Sequence, residues 1–327
     1  MPVHRSGPAR TRRLTVAGLL LTAFSLLTVL PGAALTGPAP DTTGGSTTAA
    51  GAPAAAQAAA PAAGSAAIPA RGSAAVPPRG SAAVPPRGSA AVPPRGSAYM
   101  GIGVSAHDGR SGAPVGQDAT QTEGVDVASY QGTVAWPTLW SAGTKWAYTK
   151  ASEGTSYTNP YFSSQYGGAY NAGMIRGAYH FATPDTSTGA TQASYFVAHG
   201  GGWSKDGRTL PGVLDIEWNP YGASCYGLSQ SGMVSWISSF LTQYKALTGR
   251  DAVIYTATSW WTQCTGNYAG FAATNPLWIA RYASAPGTLP AGWAVQTMWQ
   301  YTSTGATVGD HDKFNGALDR VVALANG

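Results

Sequence analysis

Val213-Leu214-Asp215-Ile216-Glu217, then residues 229–249, then Ala252-Val253-Ile254-Tyr255-Thr256 read as strand, helix and strand. In the middle piece Met233, Trp236, Ile237, Phe240, Leu241, Tyr244 and Leu247 recur at steps of three and four, which gives a helix one apolar face. Ser229 stands where an N-cap belongs and Gly249 where a left-handed C-terminal stop belongs. A unit of this kind joins two parallel strands by a right-handed crossover. The alternation extends outward from it. Residues 124–127, 146–150 and 175–181 read as earlier strands, with Asn159-Pro160 opening a helix that Gly173 closes and a further helix over 190–198. Residues 277–282 and 295–301 read as later strands with little helical sequence between them. Apolar strands flanked by amphipathic helices suit a barrel or a doubly wound sheet. The first strand is not followed by a glycine-rich dinucleotide turn, which favours an incomplete TIM-like α/β barrel whose last helices are missing or short.

Upstream the composition changes. Large apolar side chains are concentrated after residue 120, so a core is expected from 121–327. Arg10, Arg12 and Arg13 precede an apolar run over 14–30, and Pro31-Gly32-Ala33-Ala34 follows it, as in an export signal spanning 1–34. A retained membrane anchor is the competing reading, because the run is nearly long enough to span a bilayer. Residues 35–120 read as a disordered linker rich in Ala, Pro and Gly. Within it, residues 71–98 repeat Arg-Gly-Ser-Ala-Ala-Val-Pro-Pro from Arg71, Arg79 and Arg87, with a partial unit from Arg95. Paired prolines favour an extended spacer. Evenly spaced arginines on a stiff rod would also suit adhesion to anionic wall polymers. Residues 99–120 read as a glycine-rich connector.

The net charge of +5 does not belong to the expected domain. From residue 121 onward there are 10 Lys plus Arg against 11 Asp plus Glu. No helix carries a basic stripe, so nucleic acid is not an expected partner. The two cysteines, Cys225 and Cys264, follow the ends of neighbouring expected strands, and in an exported chain they are expected to form one disulfide. The five histidines show no ligand spacing, so no metal site is expected.

Residues two apart on a strand share a face, so Asp215 and Glu217 point one way and Leu214, Ile216 and Trp218 the other. Acids at the C-terminal end of a barrel strand lie where barrel active sites form. Asp126 ends the first strand and Asp310 follows the last, and in a closed barrel those strands are neighbours. Four carboxyls at one mouth cannot all ionise freely, so at least one pKa is expected to rise. Glycoside hydrolysis needs that inequality: one protonated acid and one ionised partner. A structural acid pair bonded to loop amides is the alternative. Tyr179, Phe181, Tyr255, Trp278, Trp299 and Tyr301 lie at or near strand ends, where aromatic faces suit sugar rings, although each taken singly is also a core candidate.

Several of these stretches also carry a resemblance. Residues 124–132 (GVDVASYQG), 150–154 (KASEG), 176–181 (RGAYHF), 214–218 (LDIEW), 277–280 (LWIA) and 299–303 (WQYTS), with the ending around Asp310, resemble the family 25 glycoside hydrolases of the N,O-diacetylmuramidase type. The resemblance implies eight strands with about five helices, the last strands lacking helices. It implies cleavage between N-acetylmuramic acid and N-acetylglucosamine in bacterial peptidoglycan by a secreted enzyme, with Glu217 as general acid. Asp215 would be nucleophile or the carboxylate that orients the substrate's acetamido group. Asp126 and Asp310 would be accessory acids, and Glu153, Tyr179, Phe181 and Tyr255 cleft residues. Trp278, Arg281 and Trp299 join them as substrate-binding candidates, Arg281 standing where the family more often has histidine. Asp310 is preferred to Asp312 for its spacing to Phe314. The resemblance implies no cofactor. No partner besides the wall is expected, and the enzyme is expected to act as a monomer. A chitinase or glucosaminidase, or a wall-binding module without catalysis, are the alternatives.

Overall fold

The computed structural model describes residues 92–109 and 120–327. The export signal, the repeat as far as residue 91 and residues 110–119 lie outside the described residues. No helix among the described residues is long and apolar enough to cross a membrane.

Nine strands are present: β1 (Thr122–Val127), β2 (Trp146–Glu153), β3 (Tyr157–Thr158), β4 (Ile175–Phe181), β5 (Val213–Asp215), β6 (Val253–Thr256), β7 (Leu277–Ala280), β8 (Met298–Thr302) and β9 (Asp310–Phe314). The helices are α1 (Val104–His107), α2 (Trp136–Ser141), α3 (Phe162–Asn171), α4 (Gly189–Phe196), α5 (Gln230–Thr248), α6 (Thr258–Thr265) and α7 (Leu318–Asn326). The sheet runs β1-β9-β8-β7-β6-β5-β4-β2, and a β1–β2 pairing closes it into a barrel of eight strands, with β3 a short antiparallel ribbon on β2. No helix separates β7, β8 and β9, as expected for the last strands. One strand departs from the parallel rule. The β8–β9 link is too short for a crossover, so β9 returns antiparallel to both β8 and β1.

Helix α5 forms as its spacing demands. The Ser229 side chain accepts from the Gly232 N–H, and Gly249 ends the helix at φ 72°. Its buried face is Met233, Trp236, Ile237, Phe240, Leu241 and Tyr244. Leu247, assigned to that face by periodicity, is 47% exposed, because the last turn runs past the core. Asn159 and Pro160 do not open α3, which starts two residues later. Asn159 is a turn residue instead: its side-chain oxygen accepts from the Tyr161 N–H, and its amide donates to the Lys150 carbonyl and to Gln165.

The interior is layered. Gly124 and Gly177 leave out side chains where the rings of Trp146 and Tyr148 lie against them. Those rings meet Trp278 at centroid distances of 5.6 and 5.1 Å, and Phe314 closes the layer 6.4 Å from Trp146. This aromatic floor fills the lower barrel and leaves the polar residues of the same strands to line the mouth. Alternate residues face outward: Val125, Val127 and Ala147 pack with Trp136, Leu139, Ala169 and Met174 of the helical layer. Cys225 and Cys264 form a disulfide with α-carbons 5.3 Å apart.

Candidate active site

Strand polarity brings the acids together. Asp126 lies at the C-terminal end of β1 and Asp310 at the start of antiparallel β9, and the register sets them opposite each other. An antiparallel strand begins where its parallel neighbours finish, so Asp310 reaches the mouth as the first residue of β9 and does not follow the last strand. Asp215 closes β5, and Ile216 still donates to the Tyr255 carbonyl at 3.0 Å, so Glu217 lies just past the ladder. Asp126, Asp215, Glu217, Asp310 and Asp312 are all buried.

Gln300 of β8 ties the group. Its amide donates to Asp126 Oδ2 at 2.7 Å and to Asp310 Oδ2 at 3.4 Å. Its carbonyl oxygen accepts from the hydroxyls of Tyr255 at 2.6 Å and Tyr282 at 3.1 Å. Asp312, one step deeper, accepts from Trp278 Nε1 at 3.2 Å. Glu217 Oε1 accepts from the Gly101 N–H at 2.5 Å and Oε2 from the Gly103 N–H at 3.3 Å. Neither oxygen of Asp215 has a hydrogen-bond partner among the described residues.

These surroundings set unequal proton affinities. Burial pushes the Glu217 carboxyl up to about 8, against the pull of the two backbone N–H groups. Burial also raises Asp215, the Glu217 charge adds to it, and the Lys150 ammonium pulls the other way. Asp126 is raised by burial and by Asp310, with Gln300 opposing. Asp312 is raised by burial and by the charges of Asp126 and Asp310. Lys150 is itself lowered by burial, partly offset by its ion pair to Glu153 Oε2 at 2.6 Å. His180, buried on the outer side of β4, is lowered to about 4. It bonds Ser152 and Gln192 and packs on Phe196 and Phe240, which makes it a structural residue facing the helices.

The raised Glu217 gives stability a direction in pH. Below its ordinary value of 4.5 the carboxyl is protonated in both folded and unfolded chains and costs nothing. As pH rises, the unfolded chain releases the proton first, and folded stability falls until about pH 8. Glu217→Gln is therefore expected to raise the melting temperature at pH 8 and leave it unchanged at pH 4. Thermal melts at the two pH values check this, and an equal shift at both would contradict it.

Of the other sequence candidates, Tyr179, Tyr255 and Glu153 border the acids. The Tyr179 hydroxyl accepts from the Met100 N–H at 3.4 Å, and Glu153 Oε1 accepts from the Tyr221 hydroxyl at 2.6 Å. Phe181 sits beneath the Lys150 ammonium, 5.4 Å from its ring centre. Three candidates are not brought to the acid group. Trp278 belongs to the aromatic floor and touches the acids only through Asp312. Trp299 faces outward, because Gln300 next to it faces in; it packs with Leu277, Ile279 and Trp293, and its ring N–H donates to the Arg281 carbonyl. Arg281 is exposed beyond the end of β7. Gln300, Tyr282, Tyr221 and Lys150 carry much of the local bonding and were not singled out from sequence. Strand alternation marks Gln300 as facing the same way as Met298, but nothing in a one-dimensional pattern places Tyr221 or Tyr282, which come from loops. Among the described residues no group of His, Cys, Asp and Glu is arranged to hold a metal ion.

The sequence and the fold have counterparts among known proteins. Residues 125–310 match Glycosyl hydrolases family 25. The chain belongs to this family. It is a glycoside hydrolase of the lysozyme and muramidase type. Lysozyme M1 of Streptomyces globisporus is 50% identical over 238 residues, covering 70% of this chain and 81% of that one. The N,O-diacetylmuramidase of Chalaropsis sp. is 53% identical over 209 residues, covering 63% of this chain and 99% of its own. A solved lysozyme from Streptomyces coelicolor superposes with a TM-score of 0.62 at 53% identity, covering 64% of this family 25 chain and 99% of its own. The muramidase of Acremonium alcalophilum gives 0.62 at 56% identity, over 63% and 99%. The family match over residues 125–310 falls within the barrel, which runs from β1 to β9.

Proposed function

We propose that this chain is an exported muramidase that hydrolyses the β-1,4 bond between N-acetylmuramic acid and N-acetylglucosamine in bacterial peptidoglycan, acting as a monomer without metal or cofactor. The observation that carries it is the pair of carboxyls Asp215 and Glu217, brought together at the C-terminal end of β5 within the barrel mouth. Relatives named lysozyme and N,O-diacetylmuramidase support the substrate class. The residues upstream supply an export signal and a spacer, and the disulfide fits an oxidising compartment.

In this reading Glu217 gives its proton to the glycosidic oxygen as the bond breaks, and the leaving sugar departs as an alcohol. Lys150 adds positive potential that favours the ionised form of Asp215. Asp215 then stabilises the oxocarbenium-like transition state, by attack on the anomeric carbon or by orienting the substrate's acetamido oxygen for that attack. Water completes the reaction once Glu217, now a carboxylate, takes its proton. Gln300 and the two tyrosines on it keep Asp126 and Asp310 in place at the cleft floor.

The test uses residues 120–327, which contain the whole family 25 match, against purified bacterial walls. Clearing of turbidity with new muramic acid reducing ends supports the proposal. New glucosamine ends would make the enzyme a glucosaminidase, and wall binding without new ends of either kind would make it a binding module.

A further inference from the structure

We propose that residues 92–109, upstream of the barrel, are an intramolecular plug that keeps the hydrolase latent for as long as they stay in the mouth. The inference rests on the reading of Glu217 as the acid and goes beyond it.

The segment reads as connector from sequence, yet it is packed into the mouth. Ala98, Met100 and Val104 are among the most buried residues of the chain. Its backbone satisfies the site in place of a ligand. Gly96 donates to Glu153 Oε1 at 2.8 Å, and the Lys150 ammonium donates to the carbonyls of Gly96 at 3.2 Å and Ala98 at 2.5 Å. Met100 donates to Tyr179, and its carbonyl accepts from Gln300 at 3.4 Å; the Gly101 carbonyl accepts from Tyr282 at 3.3 Å. Gly101 and Gly103 donate to one oxygen each of Glu217, so the backbone of the plug lies where a glycosidic bond would have to approach the proposed acid. Further along, His107 stacks on Trp218 with ring centres 3.9 Å apart and planes 10° from parallel, as a flat ligand would on a tryptophan platform. Asp108 accepts from Trp218 Nε1 at 3.2 Å and from the Ser259 hydroxyl. At the other end Arg95 pairs with Asp185 at 2.8 Å and lies over the Tyr221 ring.

The glycines of the plug fit for steric reasons. A β-carbon at Gly103 would run into the Trp218 side chain, and one at Gly101, where φ is +83°, would run into the Tyr282 hydroxyl and the Gln300 amide. Only a chain without side chains at those points reaches Glu217. A polysaccharide and this segment cannot occupy the trough together.

Ten residues, 110–119, join the plug to the barrel in the chain, so its local concentration is of the order of millimolar. Without that connection the plug is a separate peptide that dilution carries away. Latency is thus a property of the tether as much as of the contacts.

The experiment compares the full chain, the full chain with Gly103→Leu, and residues 120–327 in wall clearing. A synthetic peptide of residues 92–109 is titrated onto residues 120–327 by tryptophan fluorescence and calorimetry. The short chain is expected to clear walls roughly 10- to 1000-fold faster than the full chain, given a tethered inhibitor of this local concentration. Gly103→Leu is expected to recover much of that rate without any cut. Residue 103 is absent from the short chain, so cutting the variant between 109 and 120 yields the parent enzyme and shows that its barrel folded. The peptide is expected to bind one to one and slow the short chain competitively, and its Gly103→Leu form is expected not to bind. Equal rates for full and short chains, or no peptide binding at millimolar concentration, would overturn the plug. Peptide binding to a short chain that releases no reducing ends would uphold the plug as occupant of the mouth and sink the hydrolase reading instead.

Discussion

Glu217→Gln in residues 120–327 is expected to lower turnover on walls by about 10²- to 10⁴-fold, the usual worth of a positioned general acid. Glutamine has the same shape and keeps hydrogen-bonding atoms at both terminal positions, so what it removes is the transferable proton. An amide there carries no charge, like the protonated carboxyl whose place it takes. The change should therefore appear in kcat with KM little altered, and folding should be intact by circular dichroism. The parent's rate is expected to fall as pH rises through the pKa of Glu217, while the small residual rate of the variant lacks that alkaline limb. A variant that retained a tenth of the parent's turnover would move the role of acid to another carboxyl, and Asp310 or Asp126 would be the next to replace.

Replacing both cysteines with alanine is expected to cost about 4 kcal/mol in folding stability, the loop-closure value for a link across 39 residues. For a domain of some 200 residues that is a fall in melting temperature of about 8–16 °C. The bridge connects the loop that follows β5, next to Glu217, to the last turn of α6. The Trp260 ring N–H donates to the Ser224 carbonyl at 3.0 Å across the same junction. Without the bridge this bond and the packing of Tyr226 are left to hold the loop, so activity should be lost at a lower temperature than global unfolding. Urea titration and residual activity after heating measure the two effects separately. A reducing agent applied to the parent should reproduce the variant, and a stability change under 1 kcal/mol would mean that the surrounding packing fixes the loop unaided.

The sequence by itself determined the parts that depend on period and end chemistry. Steps of three and four with Ser229 and Gly249 at the ends specify α5, and i, i+2 spacing specifies Asp215 with Glu217. The placement of Cys225 and Cys264 after neighbouring strands anticipated their bridge. These features are local, and the backbone reads them without knowing its distant neighbours. Tertiary structure alone decided the rest. Alternation gave Trp299 two possible faces, and Gln300 took the inner one because its amide donates to Asp126 and Asp310 while its oxygen accepts from Tyr255 and Tyr282, where an indole has one donor and no acceptor. Asp310 joins the mouth because β9 runs backward, a consequence of a link too short to cross over. Residues 92–109 carry hardly any periodic signal, being rich in glycine and small side chains, and for that reason their backbone can lie against buried carboxyls that larger residues would hold away. What fills a cleft is settled by the shape and hydrogen-bonding needs of the cleft wall, and a linear pattern contains neither.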